Sequence, residues 1–127
     1  MRRIITAVLA MILLLTSCAG KSMEQNGYKQ ITQQQAKEMM DNQSVIILDV
    51  REQHEYDSGH IKGAVLLPVG SITADTASAV IPQKDSVVLV YCRSGNRSKT
   101  ASKALAELGY TEIYEFGGIS SWPYEKE

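Results

Sequence analysis

The chain has 127 residues, a formal net charge of −1, 44% hydrophobic residues and 21% charged residues, which suits one small globular domain. The near-neutral charge argues against a nucleic-acid partner, because proteins that bind nucleic acids usually present a strongly basic face. The two histidines have no cluster of cysteines or carboxylates beside them in the sequence, so we predict no metal site and no cofactor.

The first 17 residues have the pattern of an export signal. Two arginines, at positions 2 and 3, precede an apolar run over residues 4–15, and small residues follow. A charged, an apolar and a small-residue region in this order are typical of secretory signal peptides. The apolar run is shorter than the roughly 20 residues that cross a bilayer as a helix. We therefore predict a signal peptide over residues 1–17.

The end of this segment, Leu15-Thr16-Ser17-Cys18, resembles the lipobox of bacterial lipoproteins. In that family the cysteine is lipidated and becomes the first mature residue, and its acyl chains hold the protein on the membrane. The resemblance implies a lipidated Cys18, a polar tether over residues 18–27, and a protein of the bacterial cell envelope that faces the periplasm or the cell exterior. An ordinary signal peptide or an uncleaved anchor, with an incidental cysteine, is the alternative.

Residues 28–127 form the predicted domain, in which helices and strands alternate. Thr32, with Gln35 three residues later, predicts a capping box that opens the first helix. Several runs are continuously apolar, which is typical of strands buried on both faces of a parallel sheet. Alternation of the two element types predicts an α/β sheet with right-handed crossovers. The predicted strands cover residues 44–50, 64–67, 86–91 and 113–116, and further helices cover residues 51–57, 71–80 and 98–108.

The stretch YCRSGNRSKT, residues 91–100, lies where the clearest strand ends and the clearest helix begins. Ligands of open α/β sheets bind beyond the carboxyl ends of the strands, and Cys92 is at that place. The backbone N–H groups of a glycine-containing turn and of a helix start converge on an anion. These donors, with Arg93 and Arg97, favour a thiolate. Cys92 is therefore the candidate nucleophile, and the candidate cradle for an anion is Arg93-Ser94-Gly95-Asn96-Arg97.

A purely structural interpretation of this loop is also open. Cysteine is among the most buried residue types, so Cys92 packs at a strand end in that interpretation, and Arg93 and Arg97 are solvated surface charges. Cys18 is the other cysteine of the chain. Lipid on its sulfur leaves Cys92 without a disulfide partner in the chain, and an unpaired thiol outside the cytosol is exposed to oxidation.

Four blocks of the sequence together resemble the rhodanese domain, the sulfurtransferase family. Their order and spacing carry the resemblance, which runs from residue 28 to residue 124. The blocks are LDVRE (48–52), EYDSGHIKGAVLLP (55–68), YCRSGNRS (91–98) and FGGISSW (116–122). The resemblance implies a central parallel five-stranded sheet flanked by helices on both faces. It also implies that Cys92 attacks the outer sulfur of a donor such as thiosulfate, carries the persulfide in the loop 93–97, and gives the sulfur to cyanide or a thiol.

Three other functions are alternatives to sulfur transfer. Cysteine-dependent phosphatases and arsenate reductases use a loop of five residues between cysteine and arginine, whereas four residues separate Cys92 from Arg97. A persulfide carrier or a binding module for an envelope partner, itself unknown, is the main alternative. Thiol redox work would need a resolving cysteine from a partner.

Residues of the other blocks are predicted to be mainly architectural. Asp49 and Arg51 stand at a predicted strand end, where they interact with each other or with neighbouring loops. His60 is a candidate helper by hydrogen bonding, and His54 is predicted to lie on the surface. The pair Gly117-Gly118 predicts a tight turn in which a side chain would clash.

Overall fold

The computed structural model describes the backbone of residues 23–25 and both backbone and side chains of residues 27–127. The strands are β1 (Met23–Gln25), β2 (Tyr28–Gln30), β3 (Ile46–Asp49), β4 (Val65–Leu66), β5 (Val88–Cys92) and β6 (Ile113–Gly118). They form one sheet in the order β1-β2-β6-β5-β3-β4. Five neighbouring strands of this sheet, β2, β6, β5, β3 and β4, run parallel to one another. The predicted five-stranded parallel sheet is therefore confirmed.

In the described part of the chain, four α-helices connect the strands: α1 (Gln33–Asn42), α2 (Gln53–Ser58), α3 (Ala74–Val80) and α4 (Asn96–Glu107). The capping box of α1 is confirmed, since the N–H of Gln35 donates to the Thr32 hydroxyl at 3.0 Å and the N–H of Thr32 donates to the Gln35 side chain at 2.9 Å. Among the described residues, no helix combines the length and the apolar character needed to cross a bilayer.

The sheet separates two apolar layers, and β5 contributes to both. All five residues of β5 are buried, as expected for a central strand of a parallel sheet. Alternate side chains point to opposite faces. One layer contains Val88, Val90 and Cys92 with residues of α3 and α4, namely Ala77, Ala101 and Leu105. The other contains Leu89 and Tyr91 with Ala36 of α1, Phe116 and Trp122.

The first two strands were not predicted from the sequence pattern. Each has three residues, which is too short for a period of two to be recognised. β1 runs antiparallel to β2, with Gln25 opposite Tyr28. The dipeptide Asn26-Gly27 that separates them in the sequence is a favoured two-residue hairpin connection. Part of the predicted tether, residues 23–25, is therefore a strand of the sheet, whereas Cys18 and the predicted signal peptide lie outside the described residues.

A buried ion pair closes the carboxyl end of β3. The guanidinium of Arg51 donates to the carboxylate of Asp49 at 2.7 Å and to the carbonyl oxygen of Gly59 at 2.7 Å. The hydroxyl of Tyr91 donates to the same carboxylate at 2.6 Å and accepts from the N–H of Ile61 at 3.0 Å. Burial, together with the hydrogen bond to Asp49, raises the pKa of the Tyr91 phenol above its ordinary value. The predicted interaction between Asp49 and Arg51 is confirmed, and it fixes the segment 59–61 against the sheet.

Candidate active site

Cys92 is the last residue of β5, and its side chain is 1% exposed. The N–H of Gly95 donates to the Cys92 sulfur at 3.0 Å. The hydroxyl of Ser98 lies 3.4 Å from the same sulfur. The candidate nucleophile is therefore enclosed by the loop that follows it in the sequence.

Burial and hydrogen bonding act in opposite directions on this thiol. Burial is the largest single influence and raises the pKa of Cys92, because a low-dielectric surrounding disfavours the charged form. Hydrogen bonding with the Ser98 side chain, and with the backbone of Ser98, Gly95 and Ser94, lowers it, and together these contacts outweigh burial. The pKa of Cys92 is consequently below the ordinary value of cysteine, so the thiolate forms more readily than in an ordinary cysteine.

The turn of the loop depends on a left-handed residue. Gly95 has a φ of 109° and stands directly before α4, a conformation that residues with a Cβ rarely adopt. This turn directs the N–H groups at the start of the helix toward the sulfur. The helix begins at Asn96, two residues earlier than predicted. Asn96 and Arg97 thus belong to its first turn rather than to the loop.

The loop lies against the backbone at the end of β6. A Cβ placed on Gly118 would be 2.0 Å from the carbonyl oxygen of Arg93, so the expected clash is confirmed at this position. The same carbonyl oxygen accepts a hydrogen bond of 3.2 Å from the N–H of Ser120. Gly117 has a φ of 93°. The Gly117-Gly118 pair therefore lets β6 approach the loop closely enough to hold it.

Arg97 is directed to α2 and not to the sulfur. Its two terminal nitrogens donate to the two carboxylate oxygens of Glu55 at 2.7 and 3.0 Å. These hydrogen bonds lower the pKa of Glu55 to about 2. They also raise the pKa of Arg97, with a smaller contribution from the charge of Cys92. Arg97 therefore fixes α4 to α2, and Glu55 balances its charge.

Three of the remaining predicted cradle residues are at the surface. Arg93, Ser94 and Asn96 are exposed, whereas Gly95 is buried. Arg93 lines a depression of about 440 Å³ together with Arg51, Glu55, Ser58, Gly59, Ile119, Ser120 and Lys126. Ser94 and Gly95 line a second depression of about 410 Å³ beside the end of β6. Cys92 is not among the described residues that line either depression.

Two site residues were missed by sequence reasoning. The hydroxyl of Ser98 donates to the carboxylate of Glu115 on β6 at 2.6 Å, and Glu115 is 3% exposed. The N–H of Gly117 donates to the same oxygen at 2.8 Å, and the amide of Gln30 donates to the other oxygen at 3.4 Å. The available signal in the sequence was an acidic residue inside an otherwise apolar strand, since such residues are rarely buried without a partner.

The two histidines lie apart from the loop interior. The ring of His60 stacks on that of Tyr56 with 3.8 Å between the centroids, and its Nδ1 is 3.0 Å from the Tyr56 carbonyl oxygen. His54 is exposed, as predicted. In the part of the chain that the structure describes, histidine, cysteine and acidic side chains form no group of three or more that could hold a metal ion.

Comparisons with known proteins give one consistent result. Residues 32–124 match the family described as "Rhodanese-like domain". The thiosulfate sulfurtransferase GlpE of Coxiella burnetii is 34% identical over 96 residues, which are 75% of this chain and 87% of that protein. The thiosulfate sulfurtransferase PspE of Escherichia coli is 38% identical over 72 residues, which are 57% of this chain and 68% of that protein.

A solved structure described as a rhodanese with anions from E. coli has the same fold. It superposes with a TM-score of 0.62 at 30% identity. The match covers 66% of this chain and 98% of that one. The parallel sheet with its flanking helices is therefore the arrangement seen in a rhodanese of known structure.

The contact between Gly118 and Arg93 predicts a severe effect of one methyl group. In Gly118→Ala the loop or β6 must move, and we expect the free energy of unfolding to fall by about 2 kcal/mol or more. The pKa of Cys92 should rise, because the Gly95 N–H is displaced from the sulfur. Urea denaturation and the pH dependence of thiol alkylation measure the two effects. Gly70→Ala is the control, since no described heavy atom beyond its two chain neighbours lies within 4 Å of a Cβ built there; equal effects of the two variants would contradict the prediction.

The ion pair of Glu55 and Arg97 predicts a contribution to stability that depends on pH. Because the folded-state pKa of Glu55 is lowered to about 2, this contribution is complete above the unfolded pKa of glutamate, about 4.3. It is lost as pH falls through 2. The free energy of unfolding should therefore exceed that of Glu55→Gln by a constant amount at neutral pH, and the difference should shrink between pH 4 and pH 2. Denaturation curves of both proteins across this range measure it, and a difference that stays constant would refute the assignment.

Proposed function

The chain belongs to the rhodanese-like family of sulfurtransferases, and from that premise we propose that it transfers sulfane sulfur through a persulfide on Cys92. The donor is thiosulfate or a persulfide, and the acceptor is a thiol or cyanide. The thiosulfate sulfurtransferase activity of relatives that are 34% and 38% identical supports this reaction. The observation that carries the proposal is the Cys92 sulfur, enclosed at the start of α4 with hydrogen-bond donors directed to it.

The reaction consists of two displacements at sulfur. In the first, the thiolate of Cys92 attacks the outer sulfur of thiosulfate, an S–S bond forms to Cys92, and the S–S bond of the donor breaks to release sulfite. In the second, the acceptor attacks the outer sulfur of the persulfide, and Cys92 leaves as a thiolate. No proton has to be removed from Cys92 if the thiolate is already present.

The loop geometry favours sulfur over phosphate as the transferred group. The guanidinium of Arg97 is held by both oxygens of Glu55, so it is not free to bind the oxygens of a tetrahedral anion. The Cys92 sulfur instead accepts from the backbone N–H of Gly95 at 3.0 Å and lies 3.4 Å from the Ser98 hydroxyl. Such a cradle suits the anionic outer sulfur of a persulfide.

The donor reaches the sulfur only after a local movement, because Cys92 is 1% exposed. Arg93 and Ser94, which follow Cys92 in the chain, are exposed. Arg93 and Lys126 line one depression and attract an anionic donor. Arg51 and Glu55 in the same lining are paired with Asp49 and Arg97. We propose that the donor enters from this side as the loop 93–95 opens.

Sulfurtransferase activity is expected for the domain of residues 23–127, measured as thiocyanate formed from thiosulfate and cyanide. Cys92→Ser should reduce the rate to that without protein, because the nucleophile is lost. Intact-mass spectrometry after incubation with thiosulfate should show the mass of one added sulfur atom, and only when Cys92 is present. Circular dichroism confirms that the variant is folded.

Two other outcomes of this experiment contradict turnover. Stoichiometric sulfur loading without release to cyanide or a thiol identifies the domain as a persulfide carrier. No loading with thiosulfate or with any persulfide donor leaves a binding module for an envelope partner.

We also propose that the protein is a lipoprotein of the bacterial cell envelope, as the sequence Leu15-Thr16-Ser17-Cys18 indicates. Cys18 is then the first mature residue and carries the acyl chains, and the domain faces the periplasm or the cell exterior. When the full chain is expressed in a bacterium, the protein should fractionate with membranes. Its mass should be that of a chain beginning at Cys18 with acyl groups attached. Cys18→Ser should abolish lipidation and cleavage at this site. Masses that differ only by the exchange of sulfur for oxygen at residue 18 would disprove the anchor.

A further inference from the structure

The Ser98 hydroxyl stands between two buried acidic groups. Its oxygen is 3.4 Å from the Cys92 sulfur and 2.6 Å from a carboxylate oxygen of Glu115. Cys92, Ser98 and Glu115 are 1%, 0% and 3% exposed, so water is largely excluded from all three. The distance to Glu115 is typical of a charge-assisted O–H···O bond, whereas the carbonyl oxygen of Gly117 is a more distant acceptor at 3.5 Å.

A hydroxyl has one proton to donate, and two groups compete for the proton of Ser98. When Ser98 donates to an ionised Glu115, its oxygen faces Cys92 as an acceptor, and the thiol S–H donates to it. When Cys92 is a thiolate, it has no proton to donate and instead accepts a hydrogen bond from Ser98. The arrangement in the structure therefore corresponds to a thiol beside a carboxylate.

In the opposite arrangement the Ser98 hydroxyl turns from Glu115 to Cys92. Its proton then points to the thiolate, while the Glu115 oxygen keeps the hydrogen bond from the N–H of Gly117. The hydroxyl donates to one of the two anions at a time, so Glu115 and the Cys92 thiolate compete for it.

We propose that Glu115 is a positioning residue for the sulfur chemistry of Cys92, because it competes for the Ser98 proton and so decides whether that hydroxyl accepts from the thiol or donates to the thiolate. The inference deepens the proposed function, and its relevance to sulfur transfer rests on that function. Glu115 acts through Ser98 and does not itself contact the sulfur donor.

The carboxylate of Glu115 is held in place for this role. The N–H of Gly117 donates to the same oxygen that accepts from Ser98, and Gln30 of β2 approaches the other oxygen. The position of the carboxylate is thus fixed by neighbours on β6 and β2, which are not charged. A change from carboxylate to amide at residue 115 keeps the shape of the side chain and removes its charge.

Other ionisable groups near the pair come from α4, from the loop and from β2. The positive charge of Arg97 is neutralised locally by Glu55, and the side chain of Arg93 is exposed. Tyr28 on β2 is buried, and burial followed by the charge of Glu115 raises the pKa of its phenol. The direct hydrogen-bonded route to Cys92 runs through Ser98.

This arrangement has a consequence for both displacements. Attack on the donor moves the negative charge from the Cys92 sulfur to the outer sulfur of the persulfide. The Cys92 sulfur then no longer competes with Glu115 for the Ser98 proton. Removal of the outer sulfur by the acceptor returns the charge to Cys92. At that moment a Ser98 hydroxyl that turns from Glu115 toward Cys92 stabilises the leaving thiolate.

The test compares Glu115→Gln with Glu107→Gln, which removes the same charge from an exposed position at the end of α4. The pKa of Cys92 is read from the ultraviolet absorbance of the thiolate and from the pH dependence of alkylation. Glu115→Gln should lower this pKa by about one unit, because a like charge is removed and the Ser98 proton is released to the thiolate. A pKa equal to that of Glu107→Gln would overturn the proposal.

A second pair of variants tests the route through Ser98. In a Ser98→Ala background the hydroxyl is absent, so the effect of Glu115→Gln on the pKa of Cys92 should shrink. An undiminished effect would mean that Glu115 acts through space alone, and the positioning role would be rejected.

A measurement on the unchanged sequence covers the case in which a variant fails to fold. In protein carrying carbon-13 in the glutamate carboxyl groups, the Glu115 signal should shift in the pH range in which Cys92 titrates, and this step should vanish in Cys92→Ala. A Glu115 signal that ignores the titration of Cys92 would refute the coupling. Because these readouts observe the thiol and the carboxylate and not turnover, an inactive sulfur-transfer assay leaves their result interpretable.

Discussion

The position of the Cys92 sulfur depends on the close approach of two backbones. Gly118 brings the end of β6 against the carbonyl of Arg93 with no room for a side chain, and the N–H of Ser120 donates to the same carbonyl oxygen. The loop is therefore clamped before the helix begins, and the left-handed turn at Gly95 then directs N–H groups to the sulfur. The parallel sheet, the two glycines and the start of α4 contribute to one geometric result, a buried atom with donors around it.

The electrostatics of the site follow from that enclosure. A buried anion is costly unless hydrogen bonds replace its water, and the loop provides them to Cys92. Glu55 balances the positive charge of Arg97, and this ion pair ties α4 to α2. The main role of Arg97 is therefore structural. Glu115 brings a second acidic group into the same interior. Cys92 and Glu115 therefore both interact with the hydroxyl of Ser98. The chemistry of the sulfur is thus tied to a residue on a different strand.

Much of this could be predicted from the sequence, because the signals were local. The buried apolar run of β5, the capping box at Thr32 and the glycine-containing loop after Cys92 each lie within a few residues. The contacts that were missed join distant residues: 17 positions separate Ser98 from Glu115, and 42 separate Arg97 from Glu55. Such pairs exist only once the helices dock on the sheet. β1 and β2 were missed because three-residue strands carry no recognisable period and gain their stability from pairing with each other and, for β2, with β6.

The hairpin at the sheet edge shortens the reach of the chain. If lipid is attached at residue 18, five residues lead to the first residue of β1, and a fully extended chain covers at most about 18 Å over that distance. The β1 edge of the domain would then lie within about 18 Å of the headgroups. A protein acceptor would have less room to approach from that side than a small thiol.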